Sequence, residues 1–238
     1  MEYPKEVLSQ LNKEHTVIFD TETTGLSPTS SSILAIGAID VRTRDTFEQF
    51  CRPKDGAYIN PKALERNGLG NLINDKSKPL PFEIERNFEA FCKEHNAIYL
   101  LGYNVGFDIN FLYNAGEYYP DKPMTFVPKV IDLMEIMLNE IVSNKKLYPL
   151  TEKEKIPGKY PSLNDALSYF GSPPEPDPHT SGLSGAKYST ELYFLLKYNV
   201  HFIEENSSIP IPPIYDKIDI DFASYVHDID SYIKHGQF

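Results

Sequence analysis

The stretch HTVIFDTETTGL, residues 15–26, narrows the fold more than any other part of the chain. Val17, Ile18 and Phe19 are apolar in succession, as in a strand covered on both faces of a sheet. Asp20 and Glu22 follow directly. Residues two apart on a strand point to the same side, so these carboxylates project together from the end of a buried strand. Burying bare carboxylates is costly without a partner, and the segment contains no Lys or Arg. A hard divalent cation, Mg2+ or Mn2+, is the natural partner. In isolation a D-x-E pair is an ordinary set of solvated acids. The apolar strand before it and the TTGL turn after it favour the cation reading.

The pattern around this strand predicts its neighbours. Residues 33–41 and 45–51 read as two further strands, forming an antiparallel meander with the first. Residues 60–69 suggest a short helix ended by Gly68, and residues 81–95 a longer one with Phe88, Phe91 and Cys92 on one side. Residues 97–103 return as a buried strand, residues 106–116 as a helix with Gly116 as its C-cap, and residues 127–141 as a short strand running into a helix. Ser162 and Asp165 stand at capping-box spacing before the apolar face of residues 159–171, and residues 181–199 form the last long helix. Asp132 and Asp165 read as helix-start acids. Strands first, then strands alternating with helices, predict an α/β fold with a mixed sheet flanked by helices.

A second acid sits in a comparable place. In LLGYNVGFDINFL, residues 100–112, a buried strand delivers a turn and Asp108 falls near the start of a helix. Alone it would read as an acid facing the helix dipole, worth a few tenths up to about 1 kcal/mol. Together, DTETTGL and GYNVGFD resemble the first two motifs of the DEDDh, or DnaQ-like, exonuclease superfamily, the proofreading-exonuclease group. The resemblance spans roughly residues 14–197, with ERNGL (65–69), VIDLMEIM (130–137) and YPSLNDALSYFG (160–171) at family-like places. Tyr103 stands where the family often has His.

The resemblance implies a ribonuclease H-like fold with a five-stranded sheet. It implies two-metal-ion removal of nucleotides from a DNA or RNA 3′ end, with Mg2+ or Mn2+ as cofactors. Asp20, Glu22 and Asp108 would be the metal ligands, and His179 the general base for the attacking water. Thr23, Thr24, Gly25 and Leu26 would hold the terminal nucleotide, with Asn104 and Phe107 shaping the pocket. The third motif departs from the pattern. The family places an Asp five residues after the His, which is Ser184 here, or Gly185 if the loop carries one inserted residue. Neither is a carboxylate. Asp177 and Glu191 are the nearest acids, and Glu191 lies nearly two turns beyond the expected place. Two readings follow: an exonuclease with a weakened metal site, or a silent exonuclease fold that binds nucleic acid or a polymerase-type partner.

Composition bounds the rest. A net charge of −11 argues against a broad basic footprint on duplex nucleic acid, but not against an enzyme that meets phosphate through bound cations. Lys145, Lys146, Lys153, Lys155 and Lys159 form one locally basic loop, which reads as solvated or as a guide for a nucleic-acid backbone. Cys51 and Cys92 make no CxxC pair, no stretch is apolar enough to span a bilayer, and the N-terminus is too polar for a secretory leader. The expectation is an intracellular, cytoplasmic protein without membrane contact. Its exonuclease domain would span residues 1–199. From about Asn199 the texture turns proline-rich, then acidic and aromatic, so residues 200–238 read as a C-terminal extension that docks or binds a polymerase or other protein.

Overall fold

Val17 and Phe19 point to one side of their strand and Ile18 to the other, and each side has its own cover. The structure, a computed structural model, describes residues 3–117, 126, 128–143, 160–176, 180–212 and 220–234. The strands are β1 (Thr16–Thr23), β2 (Ile33–Asp40), β3 (Thr46–Phe50), β4 (Tyr99–Gly102), β5 (Lys129–Asp132) and β6 (His227–Asp228). They lie in the order β3-β2-β1-β4-β5-β6. The β1–β2 and β2–β3 pairs are antiparallel, β1–β4 and β4–β5 parallel, and β5–β6 antiparallel. The predicted meander and mixed sheet are both present.

The helices are α1 (Lys5–Leu11), α2 (Pro61–Asn67), α3 (Pro81–Glu94), α4 (Val105–Glu117), α5 (Leu133–Ile136), α6 (Leu163–Tyr169), α7 (Gly182–Tyr198) and α8 (Ile229–Lys234). Val17 and Phe19 pack with Ile84, Phe88 and Cys92 of α3 and Ile109, Phe111 and Leu112 of α4. Ile18 packs with Leu133 and Ile136 of α5, Ala166 and Leu167 of α6, and Leu192, Tyr193 and Phe194 of α7. Each fully buried side chain of this size contributes about 1.5–3 kcal/mol, so the two layers explain why β1 needs no polar face. Ser162 and Asp165 form the predicted capping box, and α2 ends at Gly68 in the left-handed conformation. Helix α4 runs through Gly116 to Glu117, one residue past the expected cap. Cys51 and Cys92 are buried free thiols.

The sheet has six strands rather than five. The sixth comes from the C-terminal segment and is two residues long, too short for any alternation to announce it. Around it, Tyr225 joins the core layer under α7, Ile229 joins the layer under α3 and α4, and Lys129 pairs with Asp228. The basic loop bearing Lys145 to Lys159 lies outside the described residues, as do Asp177 and His179. Among the described residues no helix is long and apolar enough to cross a membrane.

Helix α7 meets the sheet backbone to backbone. A Cβ on Gly37 of β2 would lie 1.8 Å from the Leu183 amide nitrogen. A Cβ on Gly182 would lie 2.6 Å from the Gly37 nitrogen and 2.8 Å from the Asp20 carbonyl oxygen. Backbone on both sides leaves no flexible group to yield. Gly37→Ala is therefore expected to destabilise the protein by about 3 kcal/mol or more, read as a lowered midpoint in urea unfolding, whereas Gly70→Ala, with open space at its Cβ, changes it little.

Candidate active site

The end of β1 is held by its own turn. A register shift falls between Glu22, which pairs with Ala35 of β2, and Thr23, which pairs with Ile33. Thr24 then ties the turn together. Its N–H donates to Ser32 O at 2.8 Å, its hydroxyl donates to Tyr58 O at 2.8 Å, and it accepts from Ser32 N–H at 2.9 Å. The Thr23 hydroxyl donates to Gly25 O at 2.8 Å, and Asn67 of α2 donates to Thr23 O at 3.0 Å. A Cβ on Gly25 would lie 2.6 Å from Ser31 Oγ. With Thr23, Thr24 and Gly25 turned inward, Leu26 is left 81% exposed.

Asp108 arrives at the same strand end from the opposite layer. Gly102 ends β4, Asn104 takes a left-handed conformation (φ 59°), and α4 begins at Val105. Asn104 N–H donates to Asp132 Oδ1 at 2.9 Å, and so does Met134 N–H at 2.9 Å. Asp132 is thus the predicted helix-start acid for α5, and it also fixes the turn into α4. One turn into that helix, buried Asp108 accepts at Oδ1 from Thr21 N–H at 2.9 Å and from the Thr21 hydroxyl at 2.6 Å. Thr21, between Asp20 and Glu22, anchors the third acid to the strand carrying the other two. Half-buried Phe107 lies against Phe111, with ring centroids 4.8 Å apart. Tyr103 donates from its hydroxyl to Pro161 O at 2.6 Å, joining the end of β4 to the start of α6.

The electrostatics are those of crowded acids. Burial, then the charges of Asp108, Glu22 and Glu175, holds Asp20 well above the usual carboxylate range, with Arg66 opposing. Burial, then Glu175 and Asp108, pushes Glu22 up to about 8, against Arg66 and a hydrogen bond from Asn67. Asp108 rises to about 7 through burial and Asp132, although its bonds from Thr21 favour the charged form. Among the described residues no group of three His, Cys, Asp or Glu side chains is placed to hold a metal ion. The donor set is nonetheless all carboxylate, crowded and mutually repelling, which fits hard divalent cations.

The third corner is only partly in view. His179 lies outside the described residues; Ser184 and Gly185 fall in the first turn of α7. A Cβ on Gly185 would lie 2.4 Å from Asp20 Oδ2 and 2.5 Å from its Cγ, so Asp20 occupies the space a side chain there would need. Glu191 is committed elsewhere. It is fully buried, accepts from the amides of Phe202 and Ile203 at 2.7 Å each, and meets His201 Nδ1 at 2.6 Å. Reasoning from sequence passed over four residues that act on these acids by hydrogen bond or charge. Arg66 and Asn67 lay inside a stretch it had marked, ERNGL. Thr21 and Glu175 had no signal in any pattern.

Comparison with known proteins places the chain in a family. The family model RNase_T, described as Exonuclease, matches residues 17–181. Among curated proteins, the PolC-type DNA polymerase III of Latilactobacillus sakei is 35% identical over 146 residues, 59% of this chain and 10% of that protein. The PolC-type enzyme of Streptococcus mutans is 29% identical over 154 residues, 63% of this chain and 10% of that protein. The chain thus spans about a tenth of the length of these relatives. Among solved structures, E. coli Exonuclease I in complex with a dT13 oligonucleotide superposes with a TM-score of 0.55 at 16% identity, over 77% of this chain and 41% of that one. The nuclease domain of 3'hExo, a DEDDh family member bound to rAMP, gives 0.54 at 16% identity, over 83% and 95%.

The crowded acids set a pH dependence. Glu22 and Asp108 bind protons more tightly folded than unfolded, so their contribution is fully present below their ordinary values of 4.5 and 3.8. It is lost as pH rises through about 8 and about 7. Metal-free protein is expected to lose on the order of 1–3 kcal/mol between pH 5 and pH 8.5 from this cluster, after discounting the part-exposed groups. Thermal unfolding in chelator checks it: Glu22→Gln should flatten the slope, and Mn2+ should raise the melting temperature more at pH 8.5 than at pH 6.

Proposed function

The chain belongs to the DnaQ-like exonuclease family, and from that premise we propose that it is a metal-dependent 3′→5′ exonuclease acting on single-stranded or frayed 3′ ends of DNA or RNA. The observation that carries this reading is the shared strand end: Asp20 and Glu22 side by side on β1, with Asp108 delivered beside them from α4 through Thr21. Asp20, Glu22 and Asp108 would hold two divalent ions, Mg2+ or Mn2+. When bound, such ions polarise the scissile phosphate and acidify a water. The protein's net charge of −11 makes that positive charge necessary, since a phosphate would otherwise meet an acidic surface.

The chain's own residues supply the rest. Thr24 ties the turn to Tyr58 O, and Leu26 and Tyr58, both exposed, would flank the path to the carboxylates. Both suit packing against the terminal nucleotide, and stacking of a base on an aromatic ring is worth about 1–3 kcal/mol. Asn104 and Phe107 would shape the same pocket from the α4 side. His179 takes the proton of the attacking water; an imidazole titrating near about 6.5 is available for that at neutral pH. A DNA or RNA 3′ end as substrate is supported by the neighbours: one is in complex with a dT13 oligonucleotide, and another is a 3'-exonuclease in 3'-end specific recognition of a histone mRNA stem-loop. The PolC-type relatives support a polymerase partner, for which residues 200–238 are the candidate docking segment.

A second reading rests on Gly185. With no acid at that place, the fold would bind a 3′ end or a polymerase-type partner without cutting. One assay separates the two. The protein is incubated with 3′-labelled and 5′-labelled single-stranded DNA and RNA in Mg2+ and in Mn2+. Stepwise shortening from the 3′ end is expected, with Asp20→Ala lowering the rate by on the order of 10³. Retained oligonucleotide binding with no shortening in either metal would establish the silent binder instead.

A further inference from the structure

Two exposed cations stand on α2, the helix next to the end of β1. They are Lys62 and Arg66. Among the described residues neither side chain makes a hydrogen bond or a close ion pair, although the chain carries 34 acids against 23 Lys and Arg. Cations left without a carboxylate on an acidic protein are available to an anion from outside. The helix that carries them is fixed against the turn after β1. Tyr58 O accepts from the Thr24 hydroxyl at 2.8 Å, Asn60 N–H donates to Thr24 O at 2.7 Å, and Asn67 Nδ2 donates to Thr23 O at 3.0 Å. Asn60 caps the start of α2 by accepting from Lys62 N–H at 3.0 Å, Gly68 ends it, and Leu64 packs beneath with Leu69 and Leu72. A short helix tied down at both ends is a fixed support for the side chains on its outer face.

Positions 62 and 66 are one helical turn apart, which sets their Cβ atoms about 5–6 Å from each other. That step is close to the one between successive phosphates of an extended single strand. The helical period puts Arg66 on the flank of Lys62 nearer Asn67, and exposed Glu65 on the opposite flank. Arg66 thus lies toward the residue that grips Thr23, one position after Glu22, and Glu65 lies away from it. The charge of Arg66 acts on both Asp20 and Glu22.

We propose that Lys62 and Arg66 receive the backbone of an incoming single strand of nucleic acid, binding phosphates behind the terminal nucleotide. The partner is a chain of regularly spaced phosphates, which an acidic surface would otherwise repel. The inference rests on the reading that a 3′ end is bound at the end of β1, and it adds where the rest of that strand lies.

Fluorescence anisotropy of the full chain with a labelled twelve-nucleotide single strand, DNA and RNA, tests it. Binding is followed in Ca2+ from about 50 to about 200 mM salt, with an unlabelled dinucleotide as competitor. Lys62→Ala and Arg66→Ala should each weaken binding of the long strand by about tenfold and lower the slope of log affinity against log salt by about 0.7. The loss should be at least about threefold greater for the long strand than for the dinucleotide, which has a single phosphate. Arg66→Lys, which keeps the charge, should keep the slope. Lys13→Ala, which removes an exposed cation ahead of β1, should bind as the wild type does. Unchanged affinity and slope when both residues are replaced, with the wild type binding the strand, overturns the proposal and leaves the 3′-end reading standing. A loss shared equally by the long strand and the dinucleotide puts the cations at the reacting phosphate and also overturns it. A wild type that binds the strand, loses it when both are replaced, and cuts nothing in Mg2+ or Mn2+ supports the proposal and sinks the exonuclease reading. A wild type that binds no strand of either kind overturns both.

Discussion

The closeness of α7 to β1 and β2 governs the rest of the structure. Gly37 and Gly182 let helix backbone rest on strand backbone, and Gly185 lets the next turn lie against the Asp20 carboxylate. Such an approach is possible only where side chains are missing, and it fixes the helix in rotation as well as distance. Ala186, Ser189 and Thr190 continue the small-residue surface on the buried side of the helix. Beyond them Leu192, Tyr193 and Phe194 fill the layer under Ile18. The depth of β1 in the protein, and so the desolvation of the acids at its end, follows from this contact.

The far half of α7 is secured by a polar device. Glu191, fully buried, collects the amides of Phe202 and Ile203, the Ser172 hydroxyl, the Asn206 amide and His201. A lone buried carboxylate would be costly, but one with five partners is satisfied and specifies where the chain goes next. Through Ser172 the same residue holds the start of the α6–α7 loop, and through Phe202 and Ile203 the turn after α7. A residue that sequence reasoning weighed as a stray acid near the third motif is the hub joining that loop to the helix. Its hydrogen bonds are saturated by protein, which is why it is not a candidate for the cation.

What was legible in the sequence was what regular periodicity and motif spacing encode. Three consecutive apolar residues in β1, the D-x-E pair after them, the strand–turn–helix around Asp108 and the capping box at Ser162 all express local rules, and each has its element. The two-residue β6 was not legible, because its pairing with β5 depends on Tyr225 and Ile229 finding the two core layers rather than on any pattern in His227 and Asp228. Thr21 carried no signal of its own in the sequence. Its value comes from a hydrogen-bond pair with a residue 87 positions away, which no local rule contains. The burial of Glu175 was hidden for a similar reason: its backbone is held by Asn164, eleven residues earlier, which no local rule contains.

The departure in the third motif looks different once the packing is known. An acid on α7 at position 185 and the carboxylate of Asp20 would contest one volume, so the glycine there is matched to the conformation Asp20 adopts. Burial, and then the charge of Glu175 ahead of that of Asp108, raises Glu22. Repulsion among carboxylates falls with distance and rises with burial. Here Asp20, Glu22 and Asp108 are all held above their ordinary range, and Glu175 contributes to the shift of the first two.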